Sequence, residues 1–443
     1  MAVVRPFRGC RYNPAVVGDL GSVLCPPYDM IDSELKESLQ RLSPYNAVHL
    51  EGGEQPDPVN PAAGYQQAAA LFRQWLAAGA LRRESEPRFY LMRHGYHFRG
   101  QTRSHLALFA DIQVDDYEQK SVLPHENTRE PAVRDRVALL EASRTQFSPI
   151  MTLYRDAEGA LQPLFQQVMA QQEPVLAVTD SPEGDVTLWC IADPQLQGRV
   201  TQFFASRPVF LGDGHHRYEA ARRYRHEQAR REGGNRTDAA YNFTMMALVE
   251  FNEPGLLLLP YHKMVRGLSP GQLGQLQERL NELFEAVPAS STSVSGSANH
   301  ALDSINAIDA LADQVTALGQ TQHVIGVVGP GKESPRLLKL RDGIDWRQWG
   351  RLAVSEAWIL DEQVIKPLLG AQISQYVDYS HDHQEAAAAV AQGQQQLAFL
   401  LKPFPMDSFE SLVSAGERLP AKSTFFYPKL PTGLILNQLE GTL

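Results

Sequence analysis

The sequence predicts an α+β fold of two domains, and three observations lead there. Arg88 to Ile112 alternates aromatic and aliphatic residues on two arms about Arg99-Gly100, the pattern of a β-hairpin. Pro208-Val209-Phe210-Leu211 is an apolar run that passes through a tight polar turn into a helical pattern, Ala220 to Tyr224. At 443 residues the chain is too long for one simple core, and a Ser-rich stretch within 286–300 interrupts the periodic pattern. The predicted division is a first domain over 1–285, a linker over 286–300 and an α+β domain over 301–443.

The elements follow in order. Pro26-Pro27-Tyr28-Asp29 and Pro44-Tyr45-Asn46 mark ordered loops, because proline removes a backbone donor and restricts the residue before it. Tyr65 to Leu81 reads as an amphipathic helix with Leu71, Trp75 and Leu76 on one side and Gly79 near its end. After the hairpin come a helix at 133–144, a strand from Ser148 to Tyr154 and a strand from Val186 to Ile191. The helix beginning near His215 stops at Gly233-Gly234-Asn235. Phe243 to Phe251 and Leu256 to Met264 are apolar enough on both faces for central strands. Ala289 to Ser297 is the Ser-rich loop. Strands at 323–328 and 336–341 and helices near 346–370 and 384–397 complete the prediction, with the glutamines at 394–396 on a solvated helical face.

Composition narrows the function. The chain is 43% hydrophobic and 21% charged, an ordinary globular balance, and its net charge of −10 argues against a general nucleic-acid binder while leaving room for a local basic pocket. No basic start followed by an apolar segment suggests a signal peptide, and no run approaches the roughly 18 apolar residues of a membrane span. The expectation is a cytoplasmic protein without a membrane partner. Cys10, Cys25 and Cys190 are too few and too scattered for a disulfide framework or a cysteine-rich zinc site.

The stretch Leu211-Gly-Asp-Gly-His-His-Arg-Tyr-Glu219 carries the chemistry. A strand, a tight turn and a helix start aim backbone N–H groups at one point, and a helix N-terminus favours an anion there. Gly214, His215, His216 and Arg217 supply donors that suit a phosphate, and Asp213 either orients the turn or binds Mg²⁺. The plainer alternative makes Asp213 the N-cap of a charged helix. Pro124-His125-Glu126-Asn127-Thr128 is a second candidate, since a loop carboxylate beside a histidine can act as general base or metal ligand. Lys422, Ser423 and Thr424, in the strip that runs on to Lys429, offer a cation and two hydroxyls to phosphate, although no P-loop pattern is present. His215, His216 and His262 raise the question of zinc, but adjacent histidines in one turn rarely share an ion and no zinc motif supports them. A Gly-x-Ser-x-Gly nucleophile elbow is also missing.

These residues carry a resemblance. Arg5-Pro6-Phe7-Arg8-Gly9, Pro26-Pro27-Tyr28-Asp29, Leu123-Pro124-His125-Glu126 and Ser148-Pro149-Ile150 resemble segments of the domain-of-unknown-function family 1015. So do Asp213-Gly-His-His-Arg-Tyr-Glu219, Asn242-Phe-Thr-Met-Met246 and Lys422-Ser-Thr-Phe-Phe-Tyr-Pro-Lys429. More distantly, Asp213 to Arg217 is similar to the phosphate-binding turn of the ParB/sulfiredoxin-like superfamily, which includes free-serine kinases. That likeness implies a mixed-sheet catalytic core with an N-terminal elaboration. It also implies a kinase that uses ADP or ATP with Mg²⁺ and phosphorylates an amino acid, free L-serine, in which Glu126 is the base, His125 its neighbour and Asp213–Arg217 the phosphate cradle. Association with serine metabolism is a further implication. The long segment between Glu126 and Asp213 departs from the kinase spacing. Sulfiredoxin chemistry needs a cysteine that this turn lacks, and ParB-like DNA binding conflicts with the net charge. A nucleotide-binding regulator and a metal-dependent phosphohydrolase using Asp213, His215 and Glu126 remain as alternatives.

Overall fold

The computed structural model describes residues 1–51, 62–234, 236–287, 300–329, 335–420 and 422–442. The fold is α+β, and the chain forms two compact units, Met1–Leu256 with Pro428–Leu443, and Leu257–Tyr427. The division thus falls at Leu256 and Tyr427 rather than in the 286–300 stretch. The C-terminal strip belongs to the first unit because its backbone is paired there: Leu436 exchanges bonds with Cys10, Thr432 with Cys25, and Asn437 pairs with Gln146. The Ser-rich loop at Ala289–Ser297 and Asn235 of the predicted helix stop lie outside the described residues.

The main sheet of the first unit has the strands β1 (Val4–Arg5), β2 (Phe89–Phe98), β3 (Gln101–Gln113), β4 (Val122–Leu123), β5 (Ile150–Tyr154), β6 (Leu176–Ser181), β7 (Gly184–Ile191), β8 (Val209–Asp213) and β9 (Phe243–Glu250). The longer helices are α1 (Ser33–Leu42), α2 (Ala63–Ala77), α3 (Glu130–Ser143), α4 (Gln162–Gln171), α5 (Pro194–Phe204) and α6 (His215–Arg231). The strands make one mixed 9-stranded sheet in the order β4-β8-β5-β9-β3-β2-β7-β6, with β1 on β3. The β2–β3 hairpin turns at Arg99-Gly100 as expected, with φ of 47° and 73° at the two positions. Positive φ at both central residues is what the twist of a tight hairpin requires. Alternate strand residues such as Leu91, Leu108, Ala110, Ile150 and Leu248 pack with Phe165 of α4, Phe203 and Phe204 of α5, and Tyr218 of α6 in one apolar cluster.

In the second unit β10 (Leu257–Leu259) pairs with β17 (Phe425–Tyr427). The remaining strands are β11 (His262–Val265), β12 (Phe284–Ala286), β13 (Val324–Val328), β14 (Arg336–Leu340), β15 (Val377–Ser380) and β16 (Leu397–Leu400). They form an antiparallel sheet in the order β12-β14-β13-β16-β11-β15. Helices α7 (Pro270–Leu283), α8 (His300–Leu318), α9 (His383–Ala391) and α10 (Met406–Ser414) accompany it. The sheet is apolar on both faces: Ile325, Val327 and Phe399 join one cluster with Leu276 and Leu280, whereas Val324, Val328 and Ala398 join another with Leu311 and Ala386.

Three predicted elements differ. Leu256 to Met264 is not one strand, because Pro260 cannot donate to a ladder and the chain breaks there into β10 and β11 of different sheets. The 346–370 helix is a chain of short turns, Trp346–Trp349, Arg351–Val354, Glu356–Ile359, Leu360–Ile365 and Lys366–Leu369, interrupted at Gly350 with φ 104°. The glutamines at 394–396 are not helical. Helix α9 ends before Gly393 at φ 72°, Gln395 donates to Asp378, and Gln396 bonds both backbone groups of Leu268. Helices α1, α4 and α5 had no sequence expectation.

No helix among the described residues is long and apolar enough to cross a membrane. The three cysteines are buried and unpaired with one another.

Candidate active site

Strand pairing decides the site. β4 and β8 run parallel, with Val122 opposite Val209 and Leu123 opposite Phe210. Adjacent parallel strands end on the same side, so the loop after β4, which carries His125 and Glu126, leaves beside the turn after β8, which carries Asp213 to Arg217. The long sequence separation between the two motifs is thereby closed by one ladder. Ligands in open sheets bind at such carboxyl ends.

The turn after β8 follows from Gly214. Its φ is 88°, a conformation that L side chains adopt at a cost, and a Cβ there would meet the Arg217 Nε at 2.9 Å. Gly214, and not Asp213, is therefore the residue that caps α6, and its carbonyl accepts the first helical bond from Tyr218 N–H. The amides of His215, His216 and Arg217 form the opening turn at the positive end of the helix.

The two histidine motifs are joined directly. The His125 Nδ1–H donates to the Leu211 carbonyl at 2.7 Å, which leaves the imidazole lone pair on Nε2. The His125 backbone N–H donates to His215 Nε2 at 3.2 Å, and the two buried rings meet edge to face with centroids 4.4 Å apart. Similarly, Arg129 N–H donates to His216 Nε2 at 3.0 Å. Burial, and then the Arg129 charge, lowers the His216 pKa, so this ring is neutral at pH 7 and accepts that bond.

Asp213 closes the β8 strand and is gripped from two sides. Arg217 Nη2 donates to Oδ2 at 3.0 Å, and Lys429 Nζ donates to Oδ1 at 3.1 Å. Burial alone would raise its carboxyl, but Lys429 and Arg217 outweigh that and hold it well below the usual carboxylate range. Arg217 is anchored further by the Pro149 carbonyl, at the start of β5. It also lines a cavity of about 40 Å³ together with Glu51 and Arg136. The Arg136–Glu51 pair there, 2.9 Å apart, is nearly fully buried, and Glu51 Oε1 and Arg217 Nε are buried without a hydrogen-bond partner among the described residues.

His125, Glu126 and His215 each offer one ligand atom, all within 4.8 Å of one another, so they could hold a metal ion. The sequence weighed His215 with His216 and His262 for zinc, and with Asp213 and Glu126 for a metal-dependent phosphohydrolase. The structure groups it with Glu126 and adds His125, which no spacing rule within one motif would reveal. His262 lies in the second unit, where its Nδ1 accepts the Leu401 N–H at 3.0 Å.

Lys422, Ser423 and Thr424 also lie in the second unit. There Lys422 Nζ sits 3.5 Å from Tyr261 Oη and over its ring, and the Ser423 hydroxyl donates to Pro420 O at 2.7 Å; Ser423 and Thr424 are buried. The lysine of this strip that meets Asp213 is Lys429, which no pattern in the sequence singles out. Its one sequence signal is its place at the end of the Lys422–Lys429 motif.

No curated protein matches the chain. Among solved structures it is similar to a free serine kinase variant in complex with AMP, at 12% identity over 72% of this chain and 87% of that one, with a TM-score of 0.34. It is likewise similar to a conserved hypothetical protein from Pyrococcus furiosus, at 12% identity over 74% and 93% of the two chains, with a TM-score of 0.34. SbnI with C-terminal truncation from Staphylococcus aureus gives 12% identity over 73% and 84%, with a TM-score of 0.33. The family model described as protein of unknown function (DUF1015) matches residues 4–363, which is most of the sequence, and the chain therefore belongs to the DUF1015 family.

Proposed function

We propose that this chain is a nucleotide-dependent small-molecule kinase that phosphorylates the hydroxyl of free L-serine, with ADP or ATP as donor. The observation that carries the reading is the parallel β4–β8 pair, which sets the His125-Glu126 loop beside the Asp213–Arg217 turn. Phosphoryl transfer asks a protein mainly for positioning and for stabilisation of negative charge. The opening amides of α6 and the Arg217 guanidinium hold phosphate oxygens, and Asp213, fixed between Lys429 and Arg217, sets the direction of that guanidinium. The acceptor hydroxyl oxygen bonds to phosphorus as the bond to the departing nucleotide breaks, and the hydroxyl proton passes to the Glu126 carboxylate. An amino-acid acceptor carries both charges, and the cavity bounded by Glu51, Arg136 and Arg217 offers both signs beside the same guanidinium. Its volume is room for roughly three waters, which matches the head of a small amino acid.

The residues do not fit Mg²⁺ on Asp213. Two cations already neutralise that carboxylate, so charge opposes a third. The His125–Glu126–His215 group, with two nitrogen donors, suits a borderline metal better than Mg²⁺, which prefers oxygen. That group favours a second reading, a metal-dependent phosphohydrolase in which Glu126 is a ligand rather than a base.

A phosphorus NMR time course of the pure protein with ADP or ATP, with Mg²⁺, Mn²⁺ or Zn²⁺, and with or without L-serine separates these. A phosphomonoester signal that needs L-serine supports the kinase. Inorganic phosphate that forms equally without it supports the hydrolase. Nucleotide binding with no product under any condition leaves a regulator and removes both enzymatic readings.

A further inference from the structure

The second unit holds a larger cavity that the kinase reading does not use. It has a volume of about 410 Å³, within the usual range for small-molecule sites. Four basic side chains, Lys339, Arg341, Arg347 and Lys402, line it with His323, against one acidic side chain, Asp342. This local excess stands out in a chain with a net charge of −10.

At the floor of the cavity, His323 and Lys402 belong to a buried charge network whose acid, Glu356, is outside the lining. The Glu356 carboxylate, 4% exposed, accepts from His323 Nδ1 at 2.8 Å and from Lys402 Nζ at 3.0 Å, and Lys402 also donates to the Gly319 carbonyl. Taking three ionisable groups out of water is costly, and apolar residues of similar size would be at least as stable. The network holds two donors, His323 and Lys402, in fixed positions at the cavity wall. His323 donates its Nδ1–H to Glu356, and the protonated ring carries a second donor, Nε2–H, of the kind a phosphate oxygen accepts.

The rim is softer. Lys339 is held by Asp342 at 2.9 Å and Glu285 at 3.4 Å, and Arg341 by Glu285 at 3.3 Å. These side chains are 24% and 44% exposed, so their pairs are weak and can be exchanged for a ligand at small cost. Arg347 lies over the Trp346 ring, 4.7 Å from its centroid, with Trp346 itself in the lining.

We propose that this cavity is a second ligand site, which binds a small organic phosphate through Lys402 and His323 at the floor and Lys339, Arg341 and Arg347 at the rim. It is independent of the Asp213–Arg217 turn and stands whether or not that turn serves a kinase.

The test is calorimetric titration of the full chain with inorganic phosphate, AMP and adenosine, read in parallel by tryptophan fluorescence. Wild type should bind AMP and phosphate with a component that weakens as salt rises and that adenosine lacks. The triple variant Lys339→Ala/Arg341→Ala/Arg347→Ala, whose changes are all at the rim, should lose at least tenfold in that component. Trp346→Phe should remove its fluorescence signal while the heat remains. Lys402→Met strands Glu356 without its cation, so its folding is checked first, and the rim variant carries the test if it unfolds. Absence of an anion-dependent component, equal binding of adenosine and AMP, or unchanged affinity in the folded rim variant would each overturn the proposal. A loss of AMP binding confined to Arg217→Ala would do the same while leaving the first site intact.

Discussion

Lys429 Nζ lies 3.1 Å from Asp213 Oδ1, tying the C-terminal strip to the turn that opens α6. The pair adds to the backbone pairing that places Pro428–Leu443 in the first unit, and the strip thereby supplies one of the two cations that keep Asp213 ionised. Arg217, the other, is thereby held toward Asp213 and the Pro149 carbonyl. A change at Lys429 is therefore felt at the guanidinium without touching it.

Lys429→Met should lower stability at neutral pH by roughly 1–3 kcal/mol, the range for depriving a largely buried polar group of a partner. The sign with pH follows from Asp213. Its folded pKa lies below the unfolded value of about 3.9, so its contribution is complete above that value and is lost as pH falls through the lowered folded one. Urea unfolding at pH 7 and pH 3 should show the gap between wild type and variant shrinking on acidification. A gap that widens would mean that Asp213 is not the group Lys429 stabilises.

Glu126→Gln should cut turnover by about 10²–10⁴-fold, the usual worth of a positioned base, while nucleotide affinity stays within a few-fold of wild type. Steady-state rates and calorimetry together check this. If Glu126 serves as a metal ligand instead, the variant should lose metal affinity along with rate, and added metal should restore part of the activity.

Gly214→Ala should cost roughly 1–2 kcal/mol from the positive φ alone. The new Cβ would also press on Arg217, whose Nε would lie 2.9 Å away and whose Nη2 would lie 3.1 Å away. Nucleotide affinity should fall about as far as in Arg217→Ala, because the same guanidinium is displaced. Thermal unfolding and nucleotide titration of both variants decide it. Wild-type affinity in the Gly214→Ala variant would show that the guanidinium does not depend on the glycine.

Much of this site was legible, and for identifiable reasons. The strand, turn and helix around Gly214 are local, so the apolar run, the glycine and the helical pattern announced them. The β2–β3 hairpin was legible for the same cause. The partnership of His125 with His215 was not, because it depends on the parallel pairing of β4, a strand of two residues, with β8. Such a short strand leaves no period to read. Lys429 was hidden among the other candidates of its strip, since the unit boundary at Tyr427 cannot be seen in composition. Pro260 was visible, yet its effect is larger than the pattern around it suggests: in Leu256–Met264 a single missing donor divides a mostly apolar stretch between two sheets.

The buried histidine pair on the β2–β3 hairpin gives the last prediction. His105 Nε2 and His94 Nδ1 are 3.4 Å apart, both rings are buried, and His94 Nε2 lies 2.5 Å from the Glu183 carbonyl. Burial first, and then the His94 charge, pushes the His105 imidazole down to about 3, and burial lowers His94 in the same direction. Between that value and the unfolded value of about 6.5, the unfolded chain binds the proton that the folded chain refuses. Stability from this pair is thus complete above about pH 6.5 and is lost as pH falls toward 3. Each such proton contributes a slope of at most about 1.4 kcal/mol per pH unit. His105→Asn removes one titrating group and keeps a polar side chain in its place. Unfolding free energies measured between pH 7 and pH 4 should fall less steeply in the variant than in wild type. Parallel slopes would mean that the ring is protonated in the folded state, and that the pair is a hydrogen-bonded cation rather than two neutral rings.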